Sequence, residues 1–285
     1  MYARPTSRPS LTLLLGIAAI SIFVLVLLRP GQPAELLITS WQPPEMISKV
    51  EPTPAPGAQP PTISGATVPL DALDVQVADG LYADQRDALH GELAAALAYV
   101  VGRFGSPPAA RFTATLNVEP GCGIHGIAYT DIRNVQVFTC DAVERGRAVN
   151  IMAHEMVHQL EQDRYGPAHL QSDLMLSEGM ATYGAGTYWL AGQPDFRTFV
   201  KNQRAAGISY PLATPYSGLG IAAMNALYYQ WASFVEFLVQ TYGRDQFDAL
   251  YVTGAGDPGS ADYAGVYNKP LADLEREWIA WVEST

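Results

Sequence analysis

The stretch VNIMAHEMVHQLEQ, residues 149–162, constrains this chain most, because His154 and His158 stand four residues apart with Glu155 beside the first. On a helix, residues i and i+4 share a face, so both imidazoles reach toward one point while Glu155 stands next to it. Ile151, Met152, Met156, Val157 and Leu160 give the same helix apolar surfaces to bury. A metal site that can do chemistry needs three protein ligands and one open position. The stretch LMLSEGMATY, residues 174–183, offers the third in Glu178, with 19 residues between it and His158. That interval lets the chain leave the first helix, cross DRYGPAHLQSD and return on a second. A helix glutamate taken alone is more often solvated; its place after H-E-x-x-H makes Glu178 a candidate ligand.

These two stretches resemble the gluzincin metallopeptidases, closest to the peptidase MA-like domains and more distantly to the aminopeptidase-N family. In the latter, H-E-x-x-H is followed by a glutamate ligand set in L-N-E-G-F-A-T-Y; here the corresponding text is LSEGMATY, one residue later. The similarity continues in YYQWASFVEFLVQTYG, residues 228–243, which looks like the Y-x-K-G-A-S helix of those enzymes. LADLEREWIAWV near the C-terminus looks like their closing helix. The resemblance implies a thermolysin-like zincin domain of α+β class. It implies one zinc ion held by His154, His158 and Glu178, with Glu155 as general base for attack of water on a peptide carbonyl. It also implies that Tyr228 hydrogen-bonds the developing oxyanion, although Tyr229 is adjacent and the family's Lys and Gly are here Gln230 and Trp231. No G-x-M-E-N run is present to hold a free substrate N-terminus, so endopeptidase action on a protein or peptide is the expectation. Thermolysin-type enzymes place an aspartate four residues after the glutamate ligand; this chain has Thr182 there, which offers a hydrogen bond but no charge. The alternative is a non-catalytic zinc-binding surface module that binds a protein partner. Such a module has no need of Glu155.

The remaining text sets the organisation. Residues 11–28, LTLLLGIAAISIFVLVLL, are 18 uncharged residues that would extend about 27 Å as a helix. They predict a transmembrane anchor, in preference to a cleaved signal peptide, whose apolar region would be shorter and followed by a small-residue site. Arg4 and Arg8 before it, against Arg29 after it, place residues 1–10 in the cytoplasm and the rest outside the cell membrane. Residues 29–68 are proline-rich and read as an extended linker. Residues 69–285 form the expected domain. LDVQV opens it as a strand, ADQRDALHGELAAALAYVVGRFG follows as a helix with Gly105 at its end, and RFTATLNV, GIAYT and NVQVFTC are short β-rich runs. Helical text takes over from about Asp141, which argues α+β.

The chain carries 17 basic and 28 acidic side chains. Without the three arginines of residues 1–30 the remainder has 14 basic groups and a net charge of −14. A surface of that sign repels phosphate backbones, so nucleic acid is excluded as an expected partner. Cys122 and Cys140, the two cysteines, are expected to pair as a disulfide outside the cytosol; neither has metal-motif spacing. His125 reads as a loop residue beside that disulfide, with a position on a strand bordering the cleft as the alternative. His169 reads as a surface residue between the two metal helices, and His90 as solvent-exposed on the first helix.

Overall fold

The computed structural model describes residues 72–284. Its first half is a sheet with helices on it. Strand β1 (Leu73–Val77) leads into helix α1 (Arg86–Phe104), which returns the chain to β2 (Phe112–Val118) parallel to β1. Leu89, Leu93, Ala96, Leu97, Val100, Val101 and Phe104, at three- and four-residue spacing, form the buried stripe of α1. Strands β3 (His125–Tyr129) and β4 (Asn134–Thr139) form an antiparallel pair, with β4 parallel to β2, so the sheet order is β1-β2-β4-β3. Alternation sets which face is covered: Phe112, Ala114 and Leu116 on β2, and Val135 and Val137 on β4, are fully or almost fully buried. The register puts Ala114 opposite Val135 and Leu116 opposite Val137, forming one apolar surface. Among the described residues strand β3 lies at the edge of the sheet, with β4 as its strand partner. The disulfide Cys122–Cys140 is formed, with Cα atoms 5.1 Å apart, and staples the β2–β3 connection to the residue after β4.

The second half is helical. Helix α2 (Arg145–Tyr165) crosses the sheet and is followed by a short 3-10 segment (Gly166–Gln171), α3 (Leu174–Ala185), α4 (Thr187–Leu190), α5 (Phe196–Ala205), α6 (Ile221–Tyr242), α7 (Arg244–Tyr251), α8 (Tyr263–Tyr267) and α9 (Leu271–Glu283). Helix α3 lies between α2 and α6, and its glycines explain how closely. A Cβ on Gly179 would stand 2.8 Å from the Trp231 carbonyl oxygen of α6, and one on Gly184 would stand 2.8 Å from a Val157 methyl of α2. Glycine inside a helix costs about 0.5–1 kcal/mol relative to alanine. Here it lets three helix backbones close on one another, carrying Glu178 up to the histidines of α2. The start of α3 is fixed by Asp173, fully buried, whose carboxylate accepts from the backbone N–H groups of Met175, Gly259 and Ala261 and from the Tyr263 hydroxyl at 2.8–3.1 Å.

One expectation is corrected. The anticipated fold class placed a membrane-crossing helix in front of the domain, but among the described residues no helix is long and apolar enough to cross a membrane. The longest, α6, buries Gln230, Ser233 and Glu236 inside the domain, which suits a central core helix and not a lipid-facing one. The observed class is α+β. The anticipated span over residues 11–28, the segment 1–10 and the linker 29–68 lie outside the described residues.

A buried carboxyl of α6 gives the fold a pH dependence. Glu236 Oε2 accepts the Arg197 N–H at 2.9 Å and shares the capping of α5 with Asp195, whose carboxylate accepts the Thr198 N–H at 2.7 Å. Burial, opposed by that backbone bond and reinforced by the Asp195 charge, pushes the Glu236 carboxyl up to about 7. A carboxyl raised on folding stabilises the protein below its unfolded value and loses that contribution as pH rises toward its folded value. Between roughly pH 5 and 7 the wild type is therefore expected to lose stability relative to Glu236→Gln, which stays neutral throughout. Urea midpoints of the two proteins across this range check it; parallel curves would show that Glu236 does not titrate there.

Candidate metal site

Helix α2 holds His154, Glu155 and His158 on the face it turns toward α3 and β3. His154 and Glu155 are buried, at 4% and 7% exposure, and the two imidazole rings meet edge-on with centroids 4.9 Å apart. Glu178 Oε2, brought in by α3, lies 3.1 Å from His154 Nε2 and 3.7 Å from His158 Nε2. The ligand atoms of the three residues all fall within 4.8 Å of one another. Tetrahedral coordination at ordinary metal–nitrogen and metal–oxygen lengths separates ligand atoms by about 3.4 Å. The two Nε2–Oε2 distances bracket that value, so the donor set fits one ion with small adjustment.

The electrostatics point the same way. Burial raises the Glu178 carboxyl, but hydrogen bonds with His154 and His158 outweigh it and hold the group well below the usual carboxylate range. Burial works against protonation of His158, yet its bonds with Glu161 and Glu178 leave its affinity for a proton well above normal. Both shifts mark a place that favours positive charge. Glu155 is pushed up, chiefly by burial, against the pull of His154 and His158.

Both histidines are braced from behind. His154 Nδ1 lies 3.4 Å from the buried Thr182 hydroxyl, the hydrogen-bonding group that the sequence offers four residues after Glu178. His158 Nδ1 lies 2.7 Å from Glu161 Oε2. Sequence reasoning did not single out Glu161. Its signal was the i, i+3 spacing from His158, which puts two side chains together on a helix but does not tell a buried brace from a solvated pair.

Of the adjacent tyrosines, Tyr228 is the one turned to the cluster. Its ring lies parallel to that of His154 at 6.0 Å, and burial, with the charge of Glu178 next, raises its hydroxyl well above the ordinary value. Tyr229 turns away, stacks on Phe199 at 3.9 Å and donates its hydroxyl to the Trp189 carbonyl at 3.0 Å. Tyr216, in the connection before α6 and unremarked in the sequence, packs edge-on against Tyr228 at 6.0 Å. Burial and the Glu178 charge push its hydroxyl up to about 12.

The other histidines separate. His125 opens β3, is exposed, and stacks on Phe138 at 4.8 Å outside the cluster. His90 is exposed on α1. His169 corrects the expectation of a surface residue. It is buried, its Nδ1 lies 2.8 Å from the Tyr251 hydroxyl, and its ring centroid is 5.9 Å from that of His158. Helix α7 folds Tyr251 over the connection between α2 and α3, which is why a residue that reads as loop ends up interior.

Strand β3 supplies the last wall. At Gly126 there is no room for a side chain: a Cβ there would stand 2.6 Å from Glu155 Cγ and 2.7 Å from Cδ. The edge of the sheet thus runs directly beside the Glu155 carboxylate. No family model matches this chain, and a search of curated proteins returns no match either.

Proposed function

We propose that this protein is a zinc-dependent peptidase in which His154, His158 and Glu178 hold the ion, Glu155 is the general base and Tyr228 supports the oxyanion. The observation that carries this is the convergence of two imidazole Nε2 atoms and one carboxylate oxygen with a second carboxylate beside them. Zinc, when bound, polarises the scissile carbonyl and acidifies water. Glu155 accepts the proton of the attacking water and passes it to the leaving amine, which a carboxyl raised by burial does more readily than an ordinary one. The Tyr228 hydroxyl, kept protonated by its surroundings, donates to the oxygen on which negative charge develops. The edge of β3, which pairs with no further strand among the described residues, gives an extended peptide a place to add as a strand beside Glu155. Such an edge grips main chain on both sides of the scissile bond and so favours an endopeptidase. The Cys122–Cys140 bridge suits an oxidising compartment.

Metal analysis of the full-length protein tests this. One zinc per wild-type chain and none retained by His158→Ala after dialysis is the expected result. Absence of stoichiometric zinc from the wild type would sink the reading.

A further inference from the structure

We infer that Glu161 is a positioning residue for the metal site, fixing the ring of His158 so that its Nε2 is presented to the ion. This rests on the zinc reading above. Glu161 is fully buried one turn along α2 from His158, with its Oε2 2.7 Å from Nδ1. An imidazole that donates Nδ1–H to a carboxylate has its Nε2 lone pair free and made more basic. In this site Nε2 is the atom that faces Glu178. The carboxylate is itself walled in. His169 Nδ1 lies 3.8 Å from the same oxygen and is hydrogen-bonded to Tyr251, whose ring stacks on Tyr165 at 4.0 Å; the Ser172 hydroxyl donates to the His169 carbonyl at 2.8 Å. The brace therefore runs from α7 through Glu161 to His158. Among the described residues His154 has no comparable support, since its Nδ1 meets a hydroxyl at 3.4 Å.

Two features separate this role from others. His158, Glu161 and His169 lie close enough to share an ion of their own, but 2.7 Å is the length of a charge-assisted hydrogen bond and leaves no room for a cation between donor and acceptor. Of its two oxygens, Oε2 bonds His158 and Oε1 is buried without a hydrogen-bond partner among the described residues. A buried acceptor left unmatched costs free energy, which the charge-assisted bond to His158 offsets.

Zinc affinity of the full-length protein, measured by competition with a chromophoric chelator, tests the assignment. Glu161→Gln is expected to bind zinc about 10-fold more weakly and Glu161→Ala nearer 100-fold, while the melting temperature of metal-free Glu161→Gln does not fall below that of the wild type. Affinity of Glu161→Gln within threefold of the wild type would overturn it, as would a loss of affinity matched by a loss of metal-free stability. A measurement on the wild type is independent of how the variants fold: nitrogen NMR of the zinc-loaded protein should show His158 Nδ1 protonated and slow to exchange. An unprotonated Nδ1 refutes the assignment. A wild type that takes up no zinc overturns the peptidase reading as well, whereas zinc uptake equal in wild type and Glu161→Gln overturns this inference alone.

Discussion

Glu155→Gln is expected to keep zinc at one per chain and to lose peptide hydrolysis by at least about 10²–10⁴-fold, the range a positioned general base contributes. The change removes one function and little else. Glutamine has the shape of glutamate, and the position is 7% exposed, so the buried surface and the packing against β3 are kept. The proposed ligands His154, His158 and Glu178 are untouched. What glutamine cannot do is take a proton from water at neutral pH. Turnover of a mixed peptide library by the two proteins, alongside their zinc content, separates this from loss of metal. Cleavage by Glu155→Gln at the wild-type rate would remove Glu155 from the mechanism.

How far the sequence leads depends on the range over which each feature is determined. The stripe of α1, the alternation of β2 and β4 and the ligand spacing on α2 are local, since each follows from a period of 3.6 or 2 residues. The encounter of Glu178 with His154 and His158 is not local, but the two glycines of LSEGMATYGA signal the close approach that produces it. Residues that depend on a third element do not follow from a local period, and Tyr228 is named from the resemblance alone. Tyr228 and Tyr229 differ by about 100° around α6, and only the packing of that helix decides which one meets His154. His169 reads as loop until α7 covers it with Tyr251. Glu161 looks like any polar residue of an amphipathic helix until the same covering buries it.

Gly126→Ala is expected to lower peptide hydrolysis about 100-fold, the cost of misplacing a reacting group by about 1 Å, without loss of zinc. A Cβ at this position would stand 2.6 and 2.7 Å from Glu155 Cγ and Cδ, closer than such atoms approach, so one side must move. Strand β3 is held in register by β4, with Gly126 opposite Val137. The backbone of α2 is held by the contact of Val157 with Gly184 and by the sheet. The free element is the Glu155 side chain, and its carboxylate is the group displaced. The effect belongs to this position and not to the strand face in general, because Ala128, two residues along and on the same face, already carries a Cβ. Zinc should stay because its ligands come from α2 and α3 and none from β3. Comparing turnover with zinc content decides it: activity within threefold of the wild type would mean that the carboxylate position beside β3 is not the one used in catalysis, and zinc lost together with activity would mean that the strand, and not the base, had yielded.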